Sequence, residues 1–323
     1  MTVVHRTPTW FDRPWSVPEL VERKGQRRVS VVLPALDEEA TVGAVIASIH
    51  PLVGTLVDEL LVIDSGSTDG TVAAARAAGA TVYTREQALP RVPPVPGKGE
   101  VLWRSLAVAG GDLIVFVDSD LISPSPMFVP SLLAPLLFDD EVRLVKGFYR
   151  RPLRTGGSDE ADGGGRVTQL VARPLLTALA PELGEIVQPL GGEYAATREL
   201  LAGIPFAPGY GVEIGILVDC WQRHGIGAIA EVDLGTRRHR NRPDHELAVM
   251  SRQVVATLLD RLGIRDSGRG LARFVPDGDG WRRVVSELGS ADRPPMRLLT
   301  EMPATGHGDH GPVDPLFGIH SMS

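Results

Sequence analysis

Residues 112–123 read DLIVFVDSDLIS, five consecutive apolar residues followed by two aspartates that a single serine separates. The apolar run predicts a buried strand, which delivers Asp118 and Asp120 to its carboxyl end. If the strand continues through them, side chains two positions apart share a face. Two carboxylates so placed suit a hard divalent cation that also bridges two phosphates. The plainer alternative is that one aspartate caps the next helix and the other is solvated.

The flanking sequence repeats this design. Residues 28–33 (RVSVVL, closed by Pro34), 60–65 (LLVIDS) and 81–84 (TVYT) read as strands, with helices over 40–50, 71–79 and 99–109. Strands alternating with short helices predict an α/β fold whose mostly parallel sheet is covered on both faces. Ligands of such sheets bind at the carboxyl ends of the strands. Three strands end in polar clusters, PALDEEA (34–40), DSGSTDGT (64–71) and DSD (118–120), so the three are expected to meet at one edge.

The second half is less regular. Residues 143–151, 192–197 and 228–235 read as strands, 166–180, 212–225 and 244–263 as helices, and 155–165 (TGGSDEADGGG) as a mobile surface loop. Beyond residue 290 the chain is rich in Pro, Gly and His and shows little periodicity.

Composition narrows the class. A chain of 323 residues, 43% hydrophobic and 23% charged, can bury a sizeable core. A net charge of −7 argues against a nucleic-acid partner. No apolar run approaches the roughly 18 residues of a membrane span. The first fifteen residues lack a signal peptide's apolar core, so a cytoplasmic protein with no membrane partner is expected. The single cysteine, Cys220, reads as a core residue. Among 33 basic residues only Lys24, Lys98 and Lys146 are lysines.

Three further stretches can hold anions. PGKGE (96–100) is not a Walker motif, yet a lysine between glycines at a helix start suits a phosphate. GGGR (163–166), with Thr168, gathers amides, a guanidinium and a hydroxyl at another helix start. RRHRNR (237–242) sets four arginines around His239 and Asn241. HGDH (307–310) reads as solvated. With no Ser-His-Asp arrangement, CxxC pair or HExxH present, the chemistry suggested is transfer from a diphosphate-bearing donor.

In order along the chain, VSVVLPALDEEATV, VIDSGSTDGT, PGKGE and FVDSD resemble the N-terminal half of a GT-A-fold nucleotide-sugar glycosyltransferase. LVKGFYRRPL, GGGRVTQLVARPLL, VQPLGGEYAATREL, FAPGYGVEIGILVD and HRNRP are similar to glucosyl-3-phosphoglycerate synthases and their mannosyl-transferring relatives. The resemblance runs from about residue 9 to DRPPM at 292–296.

It implies a Rossmann-like nucleotide-sugar region (28–150) after an extension (1–27), an acceptor-binding α/β region (151–290) and a tail (291–323). Pro34, Ala35, Leu36, Glu38 and Ser65 would line the base and ribose site, with Lys98 against the nucleotide. Asp118, Ser119 and Asp120 form the metal motif. Asp120 and His239 are the implied ligands of Mg²⁺ or Mn²⁺, and Asp118 in addition helps seat the nucleotide. Arg242 would reach the diphosphate, and Glu213 and Tyr210 the hexose hydroxyls. Gly165, Arg166, Thr168 and Asn241 would cradle 3-phosphoglycerate.

The implied reaction is retaining transfer of glucose or mannose from a UDP- or GDP-linked sugar to the acceptor's 2-hydroxyl. Lys98, Asp120, Glu213 and the Leu190 carbonyl are its catalytic groups, and a homodimer its expected assembly. Asp37, Gly147 and Gly191 depart from the glucosyl pattern, where Asn, Ser and Ser are usual. Gly191 adjoins the implied sugar site, which leaves glucose against mannose open. The alternatives are another acceptor, such as a polyprenyl phosphate or a sugar chain, and a non-catalytic nucleotide-sugar-binding module.

Overall fold

The computed structural model describes residues 9–10, 15–122, 124–150, 153–155, 158–160, 165–236, 243–289 and 291–300. In chain order the described strands are β1 (Thr9–Trp10), β2 (Val29–Ala35), β3 (Glu59–Asp64), β4 (Thr81–Thr84), β5 (Leu113–Phe116) and β6 (Leu144–Arg150). They continue with β7 (Leu153–Thr155), β8 (Ser158–Glu160), β9 (Tyr194–Thr197), β10 (Ile229–Thr236), β11 (Leu271–Asp277) and β12 (Gly280–Ser286). Eight of them form one sheet in the order β1-β10-β6-β9-β5-β2-β3-β4.

All neighbours in this sheet are parallel except β9, which runs antiparallel to both β5 and β6. The carboxyl ends of β2, β3, β5, β6 and β10 therefore share an edge with the amino end of β9. The reversal brings the QPLGG stretch that precedes β9 to the same edge as the three strand-end clusters. Strands from the second half of the chain thus complete the sheet begun by the first.

Alternation along the strands divides the core. Val31, Leu33, Val62 and Val115 face one apolar cluster, shared with the helices Val42–Ile49 and Phe128–Phe138. Val32, Ile63, Ile114 and Phe116 face another, shared with the helices Lys98–Val108 and Val212–His224. Successive side chains on a strand point to opposite faces, so continuous apolar runs are what a sheet covered twice requires.

Several expectations are corrected. Pro34 does not close its strand, which continues to Ala35. The Val117 amide bonds to the Val32 carbonyl, and β5 ends at Phe116, so the donor that Pro34 lacks faces the side where the ladder has already stopped. For the same reason Asp118 and Asp120 lie in the loop after the strand rather than on one strand face. The 155–165 stretch, expected to be a loop, contributes Thr155 and Ser158–Glu160 to the short antiparallel pair β7–β8. Residues 291–296, for all their lack of periodicity, are held against the body of the protein. Met296 is buried, the Pro294 carbonyl accepts from the Trp103 indole at 2.8 Å, and Arg293 pairs with Glu100 at 2.6 Å.

The helix Phe128–Phe138 was not legible: it is buried all round and contains Pro130 and Pro135. A helix without a polar face has no 3.6-residue signal, and proline argues against the assignment. The β11–β12 hairpin was also missed, and it holds Phe274 and Trp281 largely exposed. No helix among the described residues is long and apolar enough to cross a membrane.

Candidate functional site

One cavity of about 920 Å³ opens at the carboxyl edge of the sheet. Its lining gathers Pro34, Ala35, Leu36, Glu38, Ser65, Lys98, Asp118, Ser119, Asp120, Gly165, Arg166, Thr168, Leu190, Tyr210 and Glu213. Every site residue named from the sequence and lying among the described residues is therefore in one place. His239, Asn241 and Arg242 lie outside the described residues, as does HGDH at 307–310.

The wall formed by β2 and β3 is built from cross-linked turns. Asp37 takes a left-handed conformation (φ 55°), which aspartate and asparagine tolerate better than most residues. Its carboxylate accepts from the Thr68 amide at 2.7 Å, while its own amide donates to the Ser67 hydroxyl at 3.0 Å. The two polar loops are thereby tied together, a task that either Asp or Asn performs. Asp64 caps the DSGS turn by accepting from Gly66 and Ser67. Ser119 donates to the Pro34 carbonyl, which joins the DSD loop to the same wall.

Lys98 starts the helix Lys98–Val108 at the cavity edge. Its ammonium lies 2.6 Å from Asp118 Oδ1 and 2.7 Å from Glu213 Oε1. Burial alone would push this lysine down, but the two carboxylates outweigh that effect and hold it well above its ordinary value. The group is a permanent cation at the centre of the site. The glycines of PGKGE serve approach rather than a phosphate loop: a Cβ on Gly97 would meet the Gly209 amide at 2.9 Å, and one on Gly99 would overlap the Ala207 carbonyl.

Also in the cavity lining, Arg166 and Thr168 open the helical stretch 166–179, and Arg166 pairs with Asp244 at the start of the helix Asp244–Arg261. That helix adds Glu246, Leu247, Met250 and Gln253 to the wall, none anticipated from the sequence, and Gln253 accepts from the Tyr210 amide at 3.0 Å. The segment after the hairpin, Glu287–Gly289, also lines the cavity.

Beneath the cavity lie residues that the sequence reading did not assign to the site. Lys146 on β6 is 1% exposed, and its ammonium donates to the Gly191 carbonyl at 2.6 Å. Burial lowers its pKa to about 8. The Tyr194 ring lies under it, 4.6 Å from the nitrogen, and burial with Glu213 nearby raises the Tyr194 phenol well above its usual value. Glu231 on β10 is 2% exposed and pushed up to about 7 by burial. The rarity of lysine was the one signal that pointed to Lys146.

Gly191 is corrected. A Cβ there would meet the Gly147 carbonyl at 2.9 Å, and Gly191 is not in the cavity wall. Its missing side chain therefore cannot open space for a second sugar epimer. A Cβ on its neighbour Gly192 would instead fall on the Asp118 carboxylate. Cys220 is a core residue, its thiol pushed up to about 12 by burial.

Asp118 and Asp120 present oxygen donors at the cavity wall, the donor type that Mg²⁺ and Mn²⁺ prefer. Among the described residues no three His, Cys, Asp or Glu side chains are clustered to hold a metal unaided. A cation there would draw further oxygens from a phosphorylated ligand, as magnesium usually does.

The comparisons with known proteins agree with this geometry. Residues 30–159 match the family "Glycosyl transferase family 2". The glucosyl-3-phosphoglycerate synthase of Mycolicibacterium smegmatis is 65% identical over 291 residues, which are 90% of this chain and 96% of that protein. The crystal structure of glucosyl-3-phosphoglycerate synthase from Mycobacterium tuberculosis in complex with Mn²⁺, UDP-glucose and phosphoglyceric acid superposes with a TM-score of 0.84 at 57% identity. That match covers 91% of this chain and 99% of the other. A structure of the same enzyme with Mg²⁺ and UDP gives a TM-score of 0.84 at 58% identity, with the same coverage. At such identity over nearly the whole length, the chain belongs to the glucosyl-3-phosphoglycerate synthase family of GT-A-fold glycosyltransferases.

Proposed function

We propose that this protein transfers glucose from UDP-glucose to the 2-hydroxyl of 3-phosphoglycerate, with retention at the anomeric carbon and with a divalent cation. The observation that carries the reading is one cavity lined both by a cation–carboxylate cluster, Lys98–Asp118–Glu213, and by Arg166 with Thr168. Such a cavity has room for a nucleotide sugar and a small anionic acceptor together. The relatives in the comparisons bear the glucosyl name, and the M. tuberculosis enzyme binds UDP-glucose with phosphoglyceric acid.

In this reading Pro34–Leu36, Glu38 and Ser65 seat the uridine, and Asp118 and Asp120, with His239 and Arg242, serve the diphosphate and its cation. Glu213 and Tyr210 hold the sugar hydroxyls. Gly165, Arg166, Thr168 and Asn241 hold the carboxylate and phosphate of the acceptor. The bound cation supplies neutralisation of charge on the departing diphosphate. Lys98 adds a fixed positive charge already aligned by two carboxylates, the kind of preorganised electrostatics that usually contributes most to catalysis.

The bond from the anomeric carbon to the β-phosphate oxygen breaks, and a bond to the acceptor's 2-hydroxyl oxygen forms on the same face. The hydroxyl proton passes to the departing phosphate oxygen. The Leu190 carbonyl steadies the positive charge that develops on the sugar ring between the two events. The assembly is taken to be a homodimer, which light scattering after size-exclusion chromatography would test.

The deciding experiment incubates purified protein with Mg²⁺, 3-phosphoglycerate and, separately, UDP-glucose, UDP-mannose, GDP-glucose and GDP-mannose. UDP-glucose should give glucosyl-3-phosphoglycerate whose anomeric proton has the donor's configuration by NMR. No transfer from UDP-glucose, or an inverted product, would refute the reading.

A further inference from the structure

The short turn that carries Leu190 is tethered on every side. The Val187 amide donates to Glu231 Oε1 at 2.7 Å, and the Val187 carbonyl accepts from Arg173 at 2.7 Å. The Gln188 side chain donates to the Tyr149 carbonyl at 2.7 Å. Lys146 Nζ donates to the Gly191 carbonyl at 2.6 Å. Beyond the turn, the Gly147 amide donates to the Glu193 carbonyl at 2.9 Å. Lys146 and Glu231 are direct register partners on β6 and β10, so their side chains leave the same face of the sheet side by side.

A buried ammonium and a buried carboxylate are costly choices where a methionine and a leucine would pack as well. Their shared feature is that each hydrogen-bonds one end of the same five-residue turn. We infer that Lys146 and Glu231 are a pair of positioning residues that hold the Val187–Gly191 turn, and with it Leu190, against the reacting carbon of the sugar. This inference rests on the glucosyl-transfer reading for the reaction served, but not for the tethering itself. Neither residue lines the cavity, so the role inferred for both is positioning. The groups facing Lys146 are Glu193 just before β9, the Tyr194 ring on β9, Lys98 and Glu213 on their helices, Asp118 after β5, and Glu231 on β10.

The test compares the parent enzyme with Lys146→Met and Glu231→Leu, by steady-state kinetics and by hydrogen–deuterium exchange. Misplacing a catalytic group by about 1 Å costs roughly a hundredfold in rate, so kcat should fall by about that factor. KM for UDP-glucose and for 3-phosphoglycerate should stay within about threefold of the parent. Amides of residues 188 and 190–193 should exchange about tenfold faster, as local opening of the turn requires, whereas those of β2 and β3 should not change. Glu231→Gln, which keeps an acceptor for the Val187 amide, should recover most of what Glu231→Leu loses.

A kcat within twofold of the parent in Lys146→Met, or parental exchange over 188–193, overturns the proposal. So does a parallel rise of both KM values, which marks a general loss of structure. If Lys146→Met does not fold, the Glu231 variants decide the question by the same readouts. If the parent itself transfers no glucose, the functional reading fails, and exchange over the turn still decides whether the pair tethers it.

Discussion

The ammonium of Lys98 stands 2.6 Å from Asp118 Oδ1, a side chain supplied by the loop after β5. Glu213 completes the arrangement from a helix in the other half of the chain, 2.7 Å from the same nitrogen. Replacing Lys98 with Met should leave two carboxylates without the ammonium that now bridges them. Removal of one preorganised electrostatic group of this kind costs about a hundredfold to a thousandfold in kcat. Steady-state assays with UDP-glucose would show it, and a loss under tenfold would remove Lys98 from the catalytic set.

Asp120 lies in the same loop at the cavity wall, and we propose that it binds the cation. In Asp120→Ala the Mg²⁺ concentration for half-maximal activity should rise by at least about tenfold, the lower end of what loss of a metal-supporting residue costs. Chelation should abolish activity in the parent. Full transfer in excess chelator would contradict the metal assignment.

Arg166 lines the same cavity and pairs with Asp244. A charge-assisted bond to a phosphate or carboxylate contributes about 1.5–3 kcal/mol, so Arg166→Ala should raise KM for 3-phosphoglycerate by roughly tenfold to a hundredfold. KM for UDP-glucose should hardly move. Equal effects on the two substrates would argue that Arg166 shapes the whole cavity instead.

Lys146 gives a prediction about pH. Burial lowers its pKa to about 8, against the pull of Glu213, Glu193 and Asp118 and with the push of Lys98. The protonated form donates to the Gly191 carbonyl, so kcat should decline as pH rises through about 8. The effect on stability has the opposite sign. Between about 8 and lysine's ordinary value of about 10.4 the unfolded chain binds more protons than the folded one, so this residue's contribution to stability increases with pH across that window. A flat kcat profile from neutral pH to pH 9 would be inconsistent with a charged tether.

Gly191→Ser restores the residue usual in the glucosyl pattern, yet its Cβ would press on the Gly147 carbonyl. The expected result is a loss of about 1–3 kcal/mol from overpacking, measured by denaturant unfolding. The ratio of activities with UDP-glucose and UDP-mannose should not change. A shifted ratio would return Gly191 to the sugar site.

Much of this architecture was legible locally. The runs RVSVVL, LLVIDS and LIVFV read as strands because burial on both faces demands continuous apolar sequence, and the structure bears them out as β2, β3 and β5. The convergence of PALDEEA, DSGSTDGT and DSD followed from parallel topology alone, and all three contribute to the cavity. The ordered motifs also indicated the family, which the comparisons show.

Other features had no local signal. The antiparallel insertion of β9 between β5 and β6 depends on pairing between strands remote in sequence. The helix Phe128–Phe138 lacks the polar face by which periodicity is recognised. Lys146 and Glu231 are ordinary charged residues in strands until the fold buries them, pairs them in register and aims both at one turn. Strand positions and strand-end chemistry were determined by the sequence itself, because burial on both faces leaves continuous apolar runs that neighbouring residues display locally. Only the tertiary structure decided what holds the Leu190 turn in place, because the cost and the use of a buried charge depend on its three-dimensional surroundings.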